Sequence, residues 1–118
     1  MATFYILNSF STNMLKDEAN VVFKKIDVEK AKDEILKAQM ANLNIVSGIG
    51  HESTAKMIST LLDMDVQFNR INVSVEKGDK GIIFTIGFRP EEGKVYSLEE
   101  LTSFLNKGQI KIYYFEIV

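Results

Sequence analysis

Cysteine is missing from this chain of 118 residues, which excludes disulfides and thiolate metal sites. Histidine occurs once, at His51. A single imidazole with no HxH or HxxxH partner argues against a tightly bound zinc or copper, so neither metal nor cofactor is expected. No apolar run approaches the roughly 20 residues of a membrane span, and the N-terminus carries no basic region followed by an apolar stretch. The expectation is a cytoplasmic protein with no membrane partner. Excess positive charge is lacking too: 14 Lys and Arg stand against 16 Asp and Glu, a net charge of −2. Proteins that coat DNA or long RNA show a basic face, because affinity comes from neutralising many phosphates. DNA is therefore not an expected partner, whereas a small anion in a local pocket needs only a few cations. Proline occurs once, at Pro90, and no linker, repeat or low-complexity stretch divides the chain.

What is present is the composition of an ordinary globular protein, 46% hydrophobic and 25% charged, long enough to bury one core without staples. Residues 3–7 form a β-rich apolar run, ending in the polar turn cluster of residues 8–13. Residues 21–26 read as a second strand. Asp27 is a good N-cap, and Val28, Ala31, Ile35 and Ala38 follow with helical spacing. Residues 44–47 make a short strand into Gly48-Ile49-Gly50, and a second helix follows from about Ser53 to Leu62, with Ile58, Leu61 and Leu62 inward.

Residues 71–75 alternate apolar and polar as a half-buried strand does, and the turn at 77–81 leads into a strand at 82–86 that Pro90 stops. Ser97-Leu98-Glu99-Glu100 is a capping box, with Tyr96 and Leu101 as its hydrophobic staple and Gly108 past the helix end. Residues 110–118 close the chain as a long aromatic strand, central in the sheet or at an edge used for dimerisation. The sum is an α/β fold, a single compact domain over residues 1–118. It has a mixed sheet of about six strands and about three helices.

Three polar clusters fall at predicted strand ends. The first is Asn8, Ser11 and Asn13. The second is His51, Ser53 and Thr54, where a glycine turn feeds a helix start. Free N–H groups and the helix dipole favour an anion there, and an imidazole can pass a proton to a leaving group. The third is Arg89 and Glu92. Only two arginines are present, Arg70 and Arg89, against twelve lysines, and arginine is the better bidentate phosphate ligand. Each cluster also has a plain structural reading: an Asx-turn, a helix cap, an exposed ion pair. Crevices at strand ends gather ligand sites in α/β sheets, so strand order decides whether the three clusters meet.

Residues 7–15 (Leu-Asn-Ser-Phe-Ser-Thr-Asn-Met-Leu), 49–54 (Ile-Gly-His-Glu-Ser-Thr), Asn69-Arg70 and 89–95 (Arg-Pro-Glu-Glu-Gly-Lys-Val) together resemble the viral ring-nuclease family. These are small type III anti-CRISPR proteins of crenarchaeal viruses, with relatives in bacteriophages and bacterial genomes. The resemblance runs through the whole chain in the same order. It implies a homodimer that binds cyclic tetra-adenylate, the messenger of type III CRISPR complexes, and cuts it without metal. The ribose 2′-hydroxyl would be the nucleophile, leaving 2′,3′-cyclic phosphate ends. His51 would be the general acid at the departing 5′ oxygen. Arg89 would hold the phosphate or the ring, and Glu92 would orient His51 or Arg89. Asn8, Ser11 and Asn13 would position the ribose, while Gly50, Ser53, Thr54 and Arg70 would grip phosphates. The family carries a glutamine just before the arginine where this chain has Phe88, which exchanges a hydrogen bond for a ring face able to stack on adenine.

Such chemistry requires in-line geometry, cations for the phosphorane charge and a proton donor. One histidine and two arginines supply it if they converge, and a symmetric dimer doubles them around a symmetric ring. Two other classes remain open at this point. One is a binding module that sequesters a cyclic oligonucleotide uncut. The other is a structural interaction domain whose glycine turn and His51 only support the fold.

Overall fold

A computed structural model describes residues 2–118. Its elements in chain order are β1 (Thr3–Leu7), β2 (Val21–Ile26), α1 (Val28–Met40), β3 (Asn44–Ser47), α2 (Glu52–Leu62), β4 (Lys80–Ile86), α3 (Leu98–Asn106) and β5 (Ile110–Ile117), with one 3-10 turn at Thr12–Met14. The strands form one five-stranded sheet in the order β2-β5-β4-β1-β3. β1 runs parallel to β3 and to β4, whereas β5 is antiparallel to β4 and β2. The sheet is therefore mixed.

Alternation along the strands divides the core in two. Phe4, Ile6, Ile82, Phe84, Ile110 and Ile112 point to one face, where all three helices pack. α1 buries Ala31, Ile35 and Ala38, and the Asp27 carboxylate caps it by accepting the Lys30 N–H at 2.8 Å. α2 buries Thr54, Ala55, Met57, Ile58, Leu61 and Leu62. α3 starts at the Ser97–Glu100 capping box, both of whose hydrogen bonds form, and its staple residues Tyr96 and Leu101 are buried. Each large apolar side chain so buried contributes about 1.5–3 kcal/mol.

The other face, with Leu7, Ile83, Phe115 and Ile117, has no α-helix on it among the described residues. Loop residues Phe10, Met14, Leu15, Val73 and Val75 cover it instead. This arrangement corrects the strand expected at residues 71–75, and with it the count of six. The apolar alternation there is real, since Val75 is buried and Val73, partly buried, packs against the same cluster. The segment nevertheless joins no ladder. The Val75 N–H donates to the Met14 carbonyl at 2.9 Å, and the pair lies as a cover across the sheet.

β5 is interior, paired on both sides, so the edges of the sheet are β2 and β3. The tight turn before β4 is fixed by Asp79, whose carboxylate accepts the N–H groups of Thr3 (2.9 Å) and Glu76 (2.8 Å). Among the described residues no helix is long and apolar enough to cross a membrane.

Candidate active site

Strand order answers the question left by the sequence. β4, β1 and β3 are neighbours and parallel, so the loops leaving their C-terminal ends emerge side by side. Asn8 follows β1, His51 follows β3 through the glycine turn, and Arg89 follows β4. A cleft of about 830 Å³ opens there, lined among others by Asn8, His51, Ser53, Thr54, Arg89 and Glu92. Six residues singled out in the sequence thus share one concavity.

The N-terminus of α2 forms one wall. His51 is the N-cap by backbone alone: its carbonyl accepts the Ala55 N–H at 3.0 Å, and its imidazole makes no capping bond. The N–H groups of Glu52, Ser53 and Thr54 precede the first intrahelical donor, so they have no partner within the helix. Thr54 is 4% exposed, the wall's buried root, while His51 is exposed. The turn before it is held by a short clamp. Ile49 bridges Phe68 in parallel, Asn69 donates its N–H to the Ile49 carbonyl (2.8 Å), and its side-chain amide donates to the Ser47 carbonyl (2.7 Å). Ser47 Oγ donates in turn to the Gln67 carbonyl at 2.6 Å.

The opposite wall is the loop from Gly87 to Val95. Its root is tied by the Gly87 N–H to the Gln109 carbonyl at 2.7 Å, and the Glu91 N–H donates to the Tyr96 hydroxyl at 3.0 Å. Phe88 lines the cleft, and its ring packs on Phe104 at 4.4 Å between centroids and near Tyr96 at 6.3 Å. Lys94 sits 4.7 Å over the Tyr96 ring and pairs with Glu100 at 3.2 Å. That partner raises the pKa of Lys94. The Ser97 backbone N–H, and after it Lys94, lowers that of Glu100.

Four expected site residues lie outside the cleft lining. After Asn8 the chain turns so that Phe10 packs on Phe115 and Phe23, beneath the face away from the helices. This carries Ser11 and Asn13 with it into the exposed 3-10 turn. Gly50 sits just behind the wall, with Arg70 Nε 3.9 Å from the point its Cβ would occupy. Arg70 is thus beside the turn and separate from Arg89. Among the described residues neither arginine, nor Glu92, is in an ion pair, so the surface-pair reading of the arginines does not hold there.

Two cations that sequence reasoning passed over also line the cleft, Lys56 and Lys94. Lys56 had a readable signal, since it lies one turn above Glu52 and pairs with it at 3.5 Å. Lys94 had none, because its position depends on how the loop folds onto α3. The cleft thus gathers the His51 imidazole, the Arg89 guanidinium, two ammonium groups already paired with Glu52 and Glu100, and the carboxylates of Glu52 and Glu92.

Comparison with known proteins agrees on kinship. The chain is 38% identical over 110 residues to ORF116 of Acidianus filamentous virus 1, covering 93% of this chain and 91% of that one. It is 37% identical over 99 residues to a protein of Sulfolobus islandicus filamentous virus, covering 82% and 80%. The structure of B116 of Sulfolobus turreted icosahedral virus superposes with a TM-score of 0.89 at 30% identity, covering 98% of this chain and 99% of that one. A family model described as STIV B116-like matches residues 4–114. The fold, the relatives and the family model lead to one assignment: the chain belongs to the STIV B116-like family.

Proposed function

We propose that this protein is a metal-independent ring nuclease that opens cyclic tetra-adenylate and so antagonises type III CRISPR signalling in the cytoplasm of a host cell. The observation that carries the reading is the convergence of His51, Arg89, Glu92, Asn8, Ser53 and Thr54 on one cleft. A ribose 2′-hydroxyl oxygen attacks the adjacent phosphorus, and the bond from phosphorus to the 5′ oxygen breaks. The hydroxyl proton passes to solvent, and the His51 imidazolium gives a proton to the departing 5′ oxygen. Arg89 and the amides at the start of α2 take up the charge that grows on the non-bridging oxygens. Glu92 shares the cleft and orients Arg89 or His51 on ligand binding. Products carry 2′,3′-cyclic phosphate ends, and no water is consumed in the cut.

The substrate is a ring with its own symmetry, and two copies of the chain around one ring give two such sites and linear di-adenylates. Arg70, Gly50, Ser11 and Asn13 lie outside the cleft lining, so the ring contacts expected of them are not made from the cleft of one protomer. Incubation of the purified protein with cyclic tetra-adenylate in excess EDTA, followed by chromatography, tests the reading. Linear products with a cyclic phosphate end are expected. An intact ring that still binds would make the protein a sequestering module, and an intact ring without binding would overturn the assignment.

A further inference from the structure

We propose that Tyr96 is a positioning residue for Arg89, acting through the loop that carries it; the inference rests on the ring-nuclease reading of the cleft. Arg89 has no ion-pair partner among the described residues to hold it, so its place depends on its backbone. The residue after it is Pro90, which has no N–H to give. Glu91 therefore carries the first amide beyond Arg89 that can be tied, and the Tyr96 hydroxyl takes it at 3.0 Å. On the other side the tie is the Gly87 N–H to the Gln109 carbonyl at 2.7 Å. Phe88, Arg89 and Pro90 span the interval between these two fixed points.

Tyr96 is itself immobilised. It is 8% exposed, with its ring near Phe88 and Phe104 at 6.3 and 6.0 Å between centroids. Lys94, from the end of the same loop, lies over that ring and reaches Glu100. Stapling the start of α3 needs only an aromatic ring, so phenylalanine would serve. The hydroxyl is chemistry beyond that need, and among the described residues the one group it engages is the Glu91 N–H of the loop.

Tyr96→Phe keeps the ring and its packing and removes only the acceptor. Deuterium exchange should show the Glu91 amide losing protection in the variant, with the thermal midpoint lower by no more than about 8 °C. Cleavage of cyclic tetra-adenylate should fall about 3- to 10-fold in kcat/KM, the size of one lost hydrogen bond. Because Tyr96 acts through Arg89, the double variant Arg89→Ala/Tyr96→Phe should be no worse than Arg89→Ala alone. Unchanged protection at Glu91, wild-type kcat/KM, or losses that add in full would each overturn the inference. If wild-type protein leaves the ring uncut and unbound, the functional reading fails, and exchange at Glu91 still decides the tether.

Discussion

The His51 carbonyl and the Ala55 amide are joined by a 3.0 Å hydrogen bond that starts α2, while the His51 side chain takes no part in the cap. Backbone does the structural work, and the imidazole stays free for chemistry. His51→Ala should therefore change unfolding free energy by no more than about 0.5 kcal/mol. Single-turnover cleavage should fall about 10²- to 10⁴-fold with ring binding largely kept. A variant that cuts at the wild-type rate would remove His51 from the mechanism.

Arg89 presents the opposite case, a cation expected to act in the ground state and the transition state alike. Arg89→Ala removes charge-assisted hydrogen bonds each worth about 1.5–3 kcal/mol. Both affinity and turnover should drop at least tenfold, with thermal stability unaltered. Arg89→Lys should fall between, because it keeps charge and loses the bidentate fork. Titration calorimetry at two salt concentrations gives the comparison, and unchanged affinity would mean that the phosphate lies elsewhere.

Gly81 lies opposite Tyr5 in β1 and Phe115 in β5. A side-chain carbon there would collide with the Tyr5 carbonyl oxygen and come within 2.8 Å of the Phe115 ring. Gly81→Ala should cost about 3 kcal/mol, because sheet backbone cannot yield as a flexible side chain does. Urea unfolding monitored by circular dichroism measures it, and a cost below about 1 kcal/mol would show that the strands spread readily.

Glu100 should make the anchoring of α3 dependent on pH. Its folded-state pKa is lowered, first by the Ser97 N–H and then by Lys94. Stabilisation from a depressed carboxylate is fully present above its unfolded value, about 4.3 for glutamate, and fades as pH falls through the lower folded value. The gap in thermal midpoint between wild type and Glu100→Gln should accordingly be largest near neutrality, begin to narrow near the unfolded value of about 4.3 and close as pH falls through the lower folded value. A gap that persists in acid would show that charge is not its source.

Most of the architecture could be read from local chemistry. Asp27, the Ser97–Glu100 box and Gly108 mark helix ends by hydrogen-bonding rules that need no tertiary context. Strand 44–47 and the helix after it were equally legible. Residues 71–75 were not, because a cover segment and a paired strand bury alternate side chains alike, and only the ladder tells them apart. The place of β5 was also hidden, since pairing is a long-range choice. For the site, the motif residues were visible one by one. Their meeting followed from the β4-β1-β3 order, and the exclusion of Ser11 and Asn13 from the fate of a single side chain, Phe10.

β5 inserts between β4 and β2, so residue 21 pairs with residue 117. Nearly the whole chain must be closed into a loop before that bond forms, a large entropic toll on the folding rate. During synthesis β2 waits without a neighbour, and β4 stays open on one flank, until β5 leaves the ribosome. The Arg89 loop hangs from β4 and is tied at Gly87 to Gln109, the residue just ahead of β5. A nascent chain therefore carries every residue of the cleft lining before residue 109, yet the tie that fixes the root of the Arg89 loop forms only when β5 docks.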